Sequence, residues 1–142
     1  MKVEGKEVGR INYAELESRQ QERFNFQKAG AVLADYGFAA LKLDDDWNGA
    51  DFLAHHISGE ITLKIQLKGR LSFGKKYEGK NIYVMFQGKH GWYLYPHDEA
   101  LEKVALVCNL KNTDSWIING GYNMGRPSED ILSIMKEYLI EP

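Results

Sequence analysis

From residue 60 to residue 70 the chain reads EITLKIQLKGR, and its polarity alternates. Ile61, Leu63, Ile65 and Leu67 share one parity; Thr62, Lys64, Gln66, Lys68 and Arg70 share the other. Side chains of a strand project to opposite faces with a period of two. The stretch therefore predicts a strand with an apolar core face and a polar face that carries an amide between cations and no acid. Residues 51–57 predict the preceding strand, joined to residues 60–68 by a tight turn at Ser58-Gly59. Residues 38–43 predict a further strand, and 44–49 (DDDWNG) a turn or loop by composition. Upstream, Asn12 and Glu15 form a capping-box pattern that starts a helix over residues 13–35. Gly37 is its C-terminal stop. The polar Gln20 and Gln27, with Gly30, interrupt the apolar pattern and place a break near residues 23–25.

Residues 69–80 form a basic, glycine-containing connection. Residues 81–86 and 92–95 predict a hairpin about residues 88–91. Pro96 ends it, and a helix over residues 97–107 begins with Asp98 and Glu99 in its favourable first turn. Residues 109–115 read as a loop, 116–118 as a short strand and 120–127 as irregular. Ser128 caps a last helix to about residue 139, and residues 1–10 form a polar arm or short edge strand. This order predicts an α/β (α+β) domain over residues 1–142 with a central mixed β-sheet flanked by helices.

Composition changes this picture little. At 142 residues, 44% hydrophobic and 27% charged, the chain fits one globular domain able to bury a core without metal or disulfide staples. The one cysteine, Cys108, has no internal partner, which points to a reducing cytoplasm. The first ten residues carry no apolar signal region, and no apolar run reaches the ~20 residues of a membrane span. The formal net charge of -2 does not by itself indicate nucleic-acid binding. Its distribution does more. Residues 61–81 hold Lys64, Lys68, Arg70, Lys75, Lys76 and Lys80 against Glu78, a local patch suited to a polyanion or, in the plainer reading, a solvated loop.

Candidate chemistry gathers on the hairpin. Pairing about Ser58-Gly59 brings Asp51 opposite Gln66, with Lys68 two residues on along the same face, provided that the register does not slip by one. A carboxylate and an amide oxygen can hold a hard divalent cation such as Mg²⁺ (or Mn²⁺), and a nearby lysine can stabilise an attacking hydroxide. Such a cation polarises a phosphodiester and lowers the pKa of its bound water. These residues point to metal-dependent phosphodiester hydrolysis.

At Asp51 and Gln66-Leu67-Lys68 the chain resembles the PD-(D/E)xK nuclease superfamily, the restriction-endonuclease-like fold. The resemblance covers roughly residues 12–107: a helix, a strand near Asp51, a hairpin strand with Gln-x-Lys, then the hairpin IYVMFQGKHGWYLYP and a helix. The usual pattern has an acid two residues before the lysine. Gln66 stands there instead, as in the Mrr-type restriction group and an intron-encoded homing endonuclease, and Ala50 stands where a proline usually precedes the aspartate. The resemblance implies an Mg²⁺-dependent DNA endonuclease acting as a homodimer. Asp51, Gln66 and the Leu67 carbonyl would be metal ligands, Lys68 would position the nucleophile, and a carboxylate from the first helix would compensate for the neutral Gln66. Glu22 is the candidate, because it shares a stripe with Phe26, Ala29 and Leu33. Lys64, Arg70, Lys75 and Lys76 would contact DNA phosphates. The alternative is a non-catalytic nucleic-acid-binding or protein-interaction module on a degenerate nuclease fold.

Other signals carry less. Residues 69–75 match the glycine and lysine spacing of a phosphate-binding loop, but Lys76 stands where Ser or Thr is needed and no helix is predicted to follow. Asp46 is a reserve acid should Asp51 be misplaced. His55 shares the parity of Asp51; as neighbours on a strand, His55 and His56 point oppositely. Cys108 follows an apolar run and reads as a buried structural thiol. Trp92, Tyr93, Tyr95, Trp116 and Tyr122 suit core packing better than base stacking, and residues 119–126 could form a recognition loop or a dimer contact.

Overall fold

The computed structural model describes residues 1–141 and, among these, every side chain but those of Asp46 and Trp47. A small exposed hairpin, β1 (Lys2–Val3) and β2 (Lys6–Glu7), precedes the main body. Asn12 does cap a helical turn, its side chain accepting from the Ala14 N–H, but that turn is a 3-10 turn over Tyr13–Glu15. The long helix α1 (Ser18–Ala34) starts afresh with a capping box between Glu17 and Gln20. The expected break thus falls at residues 16–17 rather than 23–25.

Five strands make the central sheet: β3 (Phe38–Trp47), β4 (Ala50–His56), β5 (Thr62–Lys68), β7 (Ile82–Gly88) and β8 (Gly91–Pro96), in that spatial order. β5 and β7 are parallel; the other neighbours are antiparallel. Helices α2 (His97–Ala105), α3 (Asp114–Asn119) and α4 (Glu129–Met135) follow, so the chain is a mixed α/β protein with four α-helices among the described residues.

Four expectations about the connections are corrected. The acidic stretch 44–47 continues β3, and the turn is only Asn48-Gly49, both at positive φ (52° and 87°). That is the Asn-Gly signature of a tight hairpin, which outweighs the acidic composition around it. Residues 116–118 lie in α3, whose N-cap Thr113 accepts from the Trp116 N–H. Residues 69–81, which carry the chain from β5 to the parallel β7, hold a buried strand β6 (Leu71–Gly74) and a 3-10 turn (Lys75–Tyr77). β6 pairs with β9 (Gly121–Met124), in the segment expected to be irregular.

The sheet has a core on each side. Ala29 and Leu33 of α1 pack with Phe52, Ala54, Ile65 and Met85 on one face. On the other, Val84, Phe86, Tyr93 and Tyr95 pack with β6, α2 and α4. The crossover is tied to this second core by polar bonds. Fully buried Tyr95 donates its hydroxyl to the Ser72 carbonyl at 2.6 Å and accepts from the Ser72 N–H at 3.1 Å. Buried His97 accepts from the Gly74 N–H through Nε2 at 3.0 Å, which leaves Nδ1 protonated to donate to Asp98 at 2.8 Å. Asp98 also accepts from the Gly79 N–H at 2.9 Å. Partial burial opposes the shift, but the bonds from His97 and Gly79 hold the Asp98 carboxyl below its ordinary range.

Replacing Tyr95 by Phe strands two buried backbone groups of Ser72. Denaturant melts should show a loss of about 1–3 kcal/mol. A lowered folded pKa gives Asp98 a stabilising contribution present above about pH 4 and lost as the pH falls through its folded value. Asp98→Asn should therefore flatten the acid limb of a stability–pH curve and leave the neutral-to-basic limb's shape unchanged.

Candidate functional site

The β4–β5 ladder runs from His55↔Thr62 to Phe52↔Ile65 and records no further pair. Continued by one residue, this register sets Asp51 against Gln66. There the Asp51 side chain takes over: its Oδ2 accepts from the Leu67 N–H at 2.9 Å. A carboxylate bonded to a backbone N–H is fixed in orientation. The hairpin end behind it is held by packing, since a Cβ at Gly49 would come within 3.0 Å of the Tyr77 ring. The Asn48-Gly49 turn thus lies against the crossover and sets the height of Asp51, two residues on.

Where β4 and β5 part, a cavity of about 210 Å³ opens. Asp51, Gln66, Leu67 and Lys68 line it, together with Glu22 from the second turn of α1. The stripe from Glu22 to Leu33 is realised: Ala29 and Leu33 are buried, Phe26 is half-buried, and Glu22 stands exposed at its outer end. Two further polar residues complete the lining. Asn25 lies three residues beyond Glu22 on α1, and Lys42 stands opposite Phe52 on β3. Sequence reasoning did not single out either. Lys42 shares its parity with Phe38 and Ala40, a pattern that carries it to the α1 side, where its ammonium lies 5.5 Å from the Phe26 ring centre.

Formal charges in the lining balance: Glu22 and Asp51 against Lys42 and Lys68. The Gln66 Oε1 is buried and has no hydrogen-bond partner among the described residues. A buried carbonyl oxygen left so costs about 1–3 kcal/mol, and such an oxygen is a ready ligand for a hard cation. The Lys68 ammonium rests over the Tyr77 ring, 5.4 Å from its centre. Among the described residues no group of three or more His, Cys, Asp or Glu could hold a metal ion. Among the described residues a cation here would have two carboxylates, Glu22 and Asp51, the Gln66 amide and backbone carbonyls such as Leu67. That donor set suits Mg²⁺, which keeps several waters and takes one or two carboxylates plus substrate phosphate oxygens.

The cations expected to hold phosphate are dispersed. Lys64 donates to the Lys80 carbonyl and so clips the crossover. Lys75 lies over Trp116, 5.8 Å from the ring centre, and Lys76 over Tyr77 at 5.2 Å. Arg70 lines a neighbouring cleft that shares Gly69 with this cavity. His55 bonds Thr62 and His56 bonds Ser58, both within the hairpin. The reserve residue Asp46 has a side chain outside the described residues, and Cys108 is half-buried against the core. The stretch that matched phosphate-loop spacing ends in a three-residue 3-10 turn, not an α-helix. No helix among the described residues is long and apolar enough to cross a membrane.

If the Gln66 amide is held at a cost, Gln66→Met, which keeps the volume and removes the orphaned oxygen, should raise stability by about 1 kcal/mol in denaturant melts. A loss of similar size would mean that the amide is already satisfied. No family model, no curated protein and no solved structure matches this chain.

Proposed function

We propose that the chain is a metal-dependent DNA endonuclease of the restriction-endonuclease-like fold, a Gln-x-Lys member of the PD-(D/E)xK superfamily. One observation carries the reading: a single cavity is lined by Asp51, Gln66, Lys68 and Glu22, brought together from two strands and a helix. The first helix, the strand order β3-β4-β5-β7-β8 and the orphaned Gln66 oxygen support it.

Asp51, Gln66, the Leu67 carbonyl and Glu22 would hold Mg²⁺ or Mn²⁺. When bound, such a cation supplies Lewis acidity to a phosphoryl oxygen and acidity to a coordinated water. Asp51 enters the reaction already oriented by the Leu67 N–H, so little ordering remains for the substrate to drive. Lys68, drawn off the Tyr77 ring by an anionic phosphate, would neutralise charge developing on the attacking oxygen and the phosphoryl group. With Gln66 neutral and the formal charges of the described lining balanced, the phosphate of a bound substrate would have to supply the remaining anionic ligand. Hydrolysis of duplex DNA would then use two copies of the chain, one per strand.

Cleavage of plasmid, branched and single-stranded DNA in Mg²⁺ or Mn²⁺ tests the reading. Asp51→Ala and Lys68→Ala should each lower the rate by on the order of 100-fold or more. Cutting that survives both changes belongs to another site. The second reading, a non-catalytic nucleic-acid-binding or interaction module, is favoured by the lack of a third carboxylate among the described lining residues. It predicts DNA binding without cleavage and no Mn²⁺ uptake dependent on Asp51.

A further inference from the structure

Two larger clefts meet the candidate site at Gly69. One, of about 340 Å³, shares Asn25, Leu67, Lys68 and Gly69 with the site and is lined by Tyr13, Phe24 and Trp92. The other, of about 490 Å³, shares Gly69 and Gln87 with the first and, among the described residues, has Arg70, Lys89 and Arg126 in its lining against Glu129. Its floor is apolar, with Phe86 and Tyr93 stacked at 4.9 Å. Gly88 keeps this floor open, since a Cβ there would come within 3.1 Å of both rings.

The three spaces adjoin at Gly69: an aromatic stretch that shares lining residues with both of the others, the Asp51 cavity, and a cationic cleft. Tyr13 sits outside both cores, exposed, with its ring 5.4 Å from that of Phe24. Aromatic faces beside a cationic track are what an unpaired strand needs, because its bases have free faces to stack and its phosphates need counter-charge. A duplex keeps its bases stacked on one another and gains nothing from Tyr13 or Phe24.

We infer that this groove binds single-stranded nucleic acid, so that the substrate carries an unpaired segment, with bases against Tyr13 and Phe24 and phosphates toward Arg70 and Arg126. The inference rests on the proposed function for one point only, the placing of the scissile phosphate at Asp51.

The test is fluorescence anisotropy with labelled single strands of about 12 nucleotides, DNA and RNA, against a blunt duplex of the same sequence, in buffer without divalent metal. Cleavage in Mg²⁺ is scored separately. Single strands should bind at least ten-fold tighter than the duplex. Tyr13→Ala should weaken them about five-fold or more, and Arg126→Ala should reduce the slope of log affinity against log salt by about 0.7. Thermal melts should show both variants folded. Equal or tighter duplex binding, or single-strand binding that neither variant changes, overturns the inference. Single-strand binding with both variant effects but no cleavage upholds the groove and removes the nuclease. Cleavage of duplex alone upholds the nuclease and removes the groove.

Discussion

The bond from the Leu67 N–H to the Asp51 carboxylate decides the shape of the site. Backbone donors inside a fold must be satisfied, and next to Ile65 the simplest partner would be another strand residue continuing the ladder. Here a side chain serves instead. The strands can then part without stranding the donor, and the space between them becomes a cavity rather than a defect. The same bond leaves an acid pinned at the mouth, beside an amide and an ammonium that strand periodicity places two residues apart. Everything chemical in the account depends on this local exchange of a ladder bond for a side-chain bond.

The rest of the fold keeps that exchange in register. Phe52 and Ile65, adjacent across the ladder and both fully buried, anchor the last pair before the strands separate. Each contributes about 1.5–3 kcal/mol by burial, and a slip of one residue would turn both out of the α1 core. On the other face the crossover does the holding. Tyr95 and His97 fix β6, Tyr77 receives the Asn48-Gly49 turn, and the ammonium groups of Lys68 and Lys76 both lie over the Tyr77 ring. The polar face of β5 is therefore partly covered, with Lys64, Gln66 and Lys68 half-buried and Thr62 exposed, and its lysines are spent partly on structure.

Much of the sheet was legible because period-two patterns are read directly from strands such as β5, and the turn at residues 58–59 fixed the pairing of Phe52 with Ile65. The Glu22 stripe on α1 was legible for the same reason at helical spacing. What escaped was set by tertiary context. Residues 44–47 look like a loop because acids dominate them, yet the Asn-Gly pair behind them makes a hairpin that keeps them extended. β6 and β9 are short and satisfied mainly by each other and by Tyr95, a partner more than twenty positions from Ser72 in the chain. Trp116 and Ile117 suit a strand by residue type, but the Thr113 cap starts a helix. Lys42 and Asn25 were invisible as site residues, since nothing in their own neighbourhoods shows that β3 and α1 converge on Asp51.

A protein spectrum of backbone and side-chain amides, titrated with Mn²⁺ in the presence of an uncleavable oligonucleotide, tests the central claim most directly. Paramagnetic broadening should appear first at the Leu67 amide, the Gln66 side-chain amide and Asp51, and should vanish in Asp51→Asn. Broadening centred on Asp44 and Asp45, or no site-specific broadening at all, would contradict the account.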